Sequence, residues 1–143
     1  MDQFTVFVGI DVSKTRLDGH ILPANTGFAV GNDDRGWQDL SARLTEHGGA
    51  CLVVLEATGG LQERAAATLS AAGLAVAVVN PRQVRDFARA TGRLAKTDRL
   101  DAQAIARFAA TVRPAPRPLP DADRQALIDL VARRRQLVEM RAA

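Results

Sequence analysis

Two acidic residues close apolar, strand-like runs: Asp11 ends the run from Phe4 to Ile10, and Glu56 ends the run from Cys51 to Leu55. Asp98 and Asp101 stand three positions apart, behind the basic stretch Arg93-Leu94-Ala95-Lys96-Thr97. Carboxylates at the mouths of two strands, joined by an i,i+3 pair on a helix, form an oxygen-only donor set. Hard divalent cations such as Mg²⁺ or Mn²⁺ take such donors, and two of these ions can clamp the attacking and leaving oxygens of a phosphodiester. Each acid also has an ordinary role open to it. Asp11 could open a turn, Glu56 could be solvated or cap the next helix, Asp98 could be an N-cap, and Asp101 suits the first turn of a helix. Gathering four negative charges costs stability unless cations lie between them. The joint placement, rather than any single acid, therefore points to metal chemistry.

The basic residues are nearly all arginine, which grips phosphate bidentately where lysine acts as a point charge. Arg82, Arg85, Arg89, Arg93, Lys96 and Arg99 surround Asp98, and Arg133, Arg134 and Arg135 cluster near the end. Phosphate contacts are expected from Arg85, Arg89, Arg93, Lys96 and Arg99, and from Lys14, which could equally cap a turn; the alternative is solvated helix faces. The net charge of +3 and pI near 10.0 only mildly favour an acidic partner. Cys51 is the single cysteine, so no internal disulfide can form, and with only His20 and His47 beside it zinc ligand sets are excluded. Tyrosine is absent, which excludes a tyrosine nucleophile within this chain. Ser13 has no histidine close in sequence to activate it and reads as a turn residue. No long apolar span or leader pattern is present, so no membrane helix or signal peptide is expected, and the setting is expected to be cytoplasmic.

With 143 residues and 47% hydrophobic composition, the chain is sized for one domain with a real core. Residues 4–11 alternate, with Phe4, Val6, Val8 and Ile10 on one face and Thr5, Phe7, Gly9 and Asp11 on the other. Gly9 is expected to leave room beside Asp11 for a metal or a sugar–phosphate backbone. Val12-Ser13-Lys14 reads as a turn into a returning strand over 15–22, and Asn25-Thr26-Gly27 as a turn into a third over 28–31. Asp33-Asp34 offers an N-cap for a helix that places Trp37, Leu40 and Leu44 in the core and stops at Gly48-Gly49. Strands are expected over 50–56 and 74–79, each followed by a helix, the second running to about Ala90. Asp98 can cap a further helix to about Val112, packed through Ala102, Ile105, Ala106 and Ala109. The predicted fold is α/β: a mixed five-stranded sheet flanked by helices, meander first and crossover units after. In it the strands ending in Asp11 and Glu56 lie side by side and parallel, so that their ligand-collecting ends coincide.

Several segments together resemble a known family. Val8-Gly9-Ile10-Asp11-Val12-Ser13-Lys14, Leu55-Glu56-Ala57-Thr58-Gly59, Val79-Asn80-Pro81 and Lys96-Thr97-Asp98-Arg99-Leu100-Asp101-Ala102 look like the N-terminal DEDD domain of a group of insertion-sequence transposases. That group includes the pilin-gene invertase and resembles the RuvC Holliday-junction resolvase in its catalytic domain. The resemblance implies a ribonuclease H-like fold, Asp11, Glu56, Asp98 and Asp101 as the acidic tetrad, Mg²⁺ or Mn²⁺ as cofactor, and DNA as substrate. It also implies a structured guide RNA (the bridge RNA of some members) as a partner. Family members carry a second domain with a serine thought to attack DNA; Ser13, Ser41 and Ser70 do not match that element.

The expected organisation is a RuvC-like DEDD domain over 1–113, a proline-rich extended linker over 114–120 and a helical connecting region over 121–143. The last helix, with its stripe of Leu127, Leu130, Val131, Leu137 and Val138, shows no stop signal. It suits the front part of a longer protein and a homo-oligomer, dimeric or higher. The function expected is that of a metal-dependent DNA transposase or recombinase domain. Two alternatives are an actin-like or sugar-kinase ATPase, which needs a larger two-lobed body, and a non-catalytic fragment that binds RNA or dimerises.

Overall fold

The structure, a computed structural model, describes residues 4–47, 50–93, 100–117 and 133–137. Strand β1 (Val6–Val12) turns into β2 (Arg16–Leu22), which turns into β3 (Thr26–Gly31), followed by α1 (Asp34–Thr45). Then come β4 (Cys51–Glu56), α2 (Glu63–Ala71), β5 (Ala75–Val79), α3 (Pro81–Ala90) and α4 (Ala102–Val112). The sheet order is β3-β2-β1-β4-β5. β1, β2 and β3 pair antiparallel, while β4 joins β1, and β5 joins β4, in parallel. The expected mixed five-stranded sheet is therefore present, with helices on both faces. No helix among the described residues is long and apolar enough to cross a membrane.

Central strands must be apolar on both sides, and β4 is buried at every position. On one face Val8, Ile10, Leu17, Val53, Leu55 and Val76 meet Trp37, Leu40 and Leu44 of α1 and Ala65 and Leu69 of α2. On the other, Phe7, Leu52, Val54, Ala77 and Val79 meet Val84 and Ala88 of α3 and Ile105, Phe108 and Ala109 of α4. Each fully buried Leu, Ile or Val contributes about 1.5–3 kcal/mol by leaving water. Asp33 caps α1, its side chain accepting from the Gly36 N–H at 2.8 Å. Asp33→Ala is expected to cost about 1 kcal/mol, seen as a lower urea midpoint at unchanged slope.

Two local expectations are corrected. The helix α4 begins at Ala102 and is capped by Asp101 from an extended backbone (φ −123°, ψ 175°); Asp98, expected as the cap, lies outside the described residues. The Asp101 carboxylate accepts from the Ala104 N–H at 2.9 Å, so Asp101 precedes the helix rather than standing within its first turn. The space expected beside Gly9 is filled as well. A Cβ there would overlap the Ala106 nitrogen and the Ala102 oxygen and lie 2.7 Å from the Ile105 carbonyl carbon. The α4 backbone sits directly on β1, and glycine is what permits that approach.

Residues 113–117 form no helix, and the Arg117 N–H donates to the Val76 oxygen of β5 at 3.0 Å. Residues 118–120 lie outside the described residues, as does the helix expected from 121 except for its turn over 133–137. Leu137, one member of the expected apolar stripe, is 55% exposed. Arg135 approaches Asp34 at 3.8 Å, an exposed pair of little energetic weight.

Candidate functional site

Strand parity decides which side chains meet at the open end of β1. Asp11 follows Phe7 and Gly9 on the α4 face, and Glu56 follows Leu52 and Val54 on the same face of the neighbouring strand, which runs parallel. β2 adds two polar groups, because its register sets Asp18 opposite Asp11 and His20 opposite Gly9. Opposed partners share a face. The close seat of α4 on Gly9 brings the start of that helix to the same end of the sheet.

The result is an open groove of about 520 Å³ lined by Asp11, Asp18, His20, Leu100, Asp101 and Gln103. Asp11 and Asp101, ninety positions apart in the sequence, thus share one cavity. Glu56 is only 9% exposed and lies on the adjacent strand rather than in the groove wall. Asp98 lies outside the described residues. Among the described residues, no three His, Cys, Asp or Glu side chains converge as a metal cluster. The donor chemistry nonetheless fits a hard cation: Asp11, Asp101 and Glu56 offer only carboxylate oxygens, at the end of the sheet where ligands gather in α/β folds.

Asp18 and His20 are groove residues that reading the sequence missed. The signal was available, since counting back across the 12–15 turn pairs Asp11 with Asp18. Like charges directly opposite on antiparallel strands repel; here the Arg16 guanidinium holds Asp18 at 2.8 Å and offsets part of that cost. His20 Nε2 is 2.7 Å from Asn25 Oδ1, which fixes the ring over the outer strands.

The expected phosphate-contacting residues are distributed more widely. Lys14 is exposed in the β1–β2 turn. Arg82, Arg85 and Arg89 recur at three- and four-residue spacing on α3 and share one helix face; Arg85 is half-buried and Arg89 exposed. Arg93 is exposed just past α3, while Lys96 and Arg99 lie outside the described residues. Cys51 takes no part: it is buried at the start of β4, and burial pushes its thiol up to about 11.

Comparison with known proteins adds an independent view. The DEDD family model of IS110-type sequences, described as a transposase, matches residues 8–143. The pilin gene-inverting protein of Moraxella bovis is 28% identical over 113 residues, which is 76% of this chain and 35% of that protein. Its counterpart from Moraxella lacunata matches to the same extent. The chain therefore spans about a third of the length of these curated relatives. A solved structure of T. thermophilus RuvC in complex with a Holliday junction substrate aligns at 20% identity and TM-score 0.45, covering 78% of this chain and 98% of that one.

Proposed function

Because this chain belongs to the IS110-type DEDD transposase family, we propose that it is the metal-dependent catalytic domain of a DNA recombinase acting on phosphodiester bonds during insertion-sequence transposition. The observation that carries this reading is the convergence of Asp11 and Asp101 on one groove, with Glu56 at the mouth of the next strand. Asp11 and Glu56 would share a divalent cation, Mg²⁺ or Mn²⁺, with Asp101 and Asp98 completing the ligand set. Bound there, the cation supplies Lewis-acid polarisation of the scissile phosphate and lowers the pKa of an attacking oxygen.

The protein's own part is placement. Asp101 spends Oδ1 on the helix cap, so Oδ2 is the oxygen that would meet a ligand in the groove. The fixed seat of α4 holds that carboxylate against β1. Lys14, Arg85, Arg89 and Arg93, with Lys96 and Arg99, would grip sugar–phosphate backbone on either side of the acids, with strongly salt-dependent affinity. Such contacts position the nucleic acid and carry little sequence information. A structured guide RNA would use the same arginines and supply that information by base pairing. The region past residue 120 would join copies into a dimer or larger assembly, in the cytoplasm where its DNA lies.

The test is cleavage of a synthetic branched DNA by the full-length protein, with and without Mg²⁺, for the unsubstituted protein and for Asp101→Asn. Asparagine caps a helix as well as aspartate does, so stability should stay within about 0.5 kcal/mol. Cleavage should fall by about 100-fold, because a charged ligand is gone. Unchanged cleavage would reduce Asp101 to a cap and sink its place in the metal shell.

A further inference from the structure

The hydrogen-bonded ladder between β1 and β4 runs from Val6↔Cys51 to Ile10↔Leu55. It ends one residue short of both carboxylates. Beyond that point each strand keeps only its outer neighbour. β1 continues against β2 as far as Val12, through the pairs Asp11↔Asp18 and Val12↔Leu17. β4 continues against β5, through Glu56↔Val79 and the Ala57 N–H to the Val79 oxygen at 2.9 Å. The sheet therefore loses its central seam where two acidic side chains from adjacent strands would push each other apart.

Asn32 crosses that gap. Its Nδ2 donates to the Ser13 oxygen at 2.9 Å, two residues past Asp11, and to the Leu61 oxygen at 3.3 Å, in the loop that follows Glu56. Its Oδ1 accepts from Trp37 Nε1 at 2.9 Å. Indole nitrogen can only donate, so the orientation of the amide is fixed and both amide hydrogens face the two loops. The Asn32 N–H also donates to the Thr15 oxygen at 3.1 Å, tying the residue to the β1–β2 turn through its backbone. Trp37 is 6% exposed on the core face of α1, so the clamp stands on a packed base.

We propose that Asn32 is a positioning residue that fastens the exits of β1 and β4 to each other, so that Asp11 and Glu56 present to the same divalent cation. The inference rests on the metal-binding reading of this site. Asn32 touches neither the cation nor the DNA; it acts through the Ser13 and Leu61 carbonyls in the loops that leave the two ligand-bearing strands. Asparagine is suited to this task because one planar amide supplies two donors and one acceptor. An aspartate of the same shape would keep the bond from Trp37 and lose both donations to the loops.

The experiment measures Mn²⁺ binding to the full chain by electron paramagnetic resonance, without DNA, at a temperature where circular dichroism shows every variant folded. Asp11→Asn defines the fraction of Mn²⁺ that belongs to this site. Asn32→Asp should weaken that fraction by about 10-fold, the scale of lost support behind a metal ligand. Trp37→Phe, which removes the bond beneath the amide but leaves both loop contacts, should lower stability while keeping Mn²⁺ affinity within about twofold, separating support of the fold from support of the ligands. If Asn32→Asp does not fold, Asn32→Ser, too short to span both carbonyls, takes its place. Native Mn²⁺ affinity in a folded Asn32 variant, with Asp11→Asn impaired, overturns the clamp alone. Native affinity in Asp11→Asn overturns the metal reading and the clamp with it.

Discussion

Asp11→Asn is expected to abolish strand cleavage while leaving nucleic-acid binding intact or tighter. The aspartate sits at the end of the central strand, opposite Asp18 and beside Asp101 in the groove. Losing a supporting residue behind a metal ligand costs about 10–100-fold, so losing a central ligand should exceed about 100-fold. Binding should move the other way, because phosphate is repelled by every carboxylate in the groove and one of them has been neutralised. The two readouts separate a catalytic fault from a folding fault, since an unfolded variant loses both. A third follows from linkage: a cation bound only to the folded state raises Tm as its concentration rises, and this Mg²⁺-dependent rise should shrink or vanish in Asp11→Asn. Full cleavage by the variant would remove Asp11 from the chemistry altogether.

Gly9→Ala should produce the largest change in stability. The added methyl meets backbone atoms of Ala102, Ile105 and Ala106, and main chain cannot swing aside as the tip of a flexible side chain can. Overpacking usually costs 1–3 kcal/mol, and a clash with helix backbone on a central strand should reach about 3 kcal/mol or more. That corresponds to a fall in Tm of roughly 10 °C for a chain of this size. A mild loss would mean that α4 can ride outward, and cleavage would then fall further than stability, because lifting α4 carries Asp101 away from Asp11. Calorimetry and the cleavage assay on the same variant distinguish these outcomes. Gly19→Ala is a useful contrast, since its methyl would meet the Phe28 ring, a side chain rather than a backbone.

Much of the fold was legible because its signals are local. The alternation from Val6 to Asp11, the Asp33 cap and the fully apolar run of β4 each specify an element without reference to the rest of the chain. Phe4, expected on the Val8 face, lies before β1 and packs with the Phe7 cluster instead. β3 begins at Thr26, two residues earlier than the turn chemistry suggested, because Gly27 pairs with His20 within the ladder rather than ending it. What escaped the sequence was contact at a distance. Alternation places Gly9 on the Asp11 face but does not say what covers that face. The matching clue lay nearly a hundred residues on, in the small side chains Ala102, Ala106 and Ala109, which let a helix approach a strand at backbone range. The choice between Asp98 and Asp101 as the cap was undecidable from spacing, since both precede the same helical run. Leu100, buried immediately before Asp101, anchors the entry of the chain and accompanies the later start. Asp18 and His20 were missed because register was not carried across the first turn.

The Arg117 bond to Val76 has a bearing on assembly. Pro114 and Pro116, just before that contact, have no N–H groups of their own, so the border of the sheet beside β5 meets a stretch poor in donors, which discourages further pairing. Among the described residues, the opposite border, at Thr26–Gly31, carries no such cover. Going by the described residues, lateral extension of this sheet by another polypeptide is therefore expected beside β3 rather than beside β5.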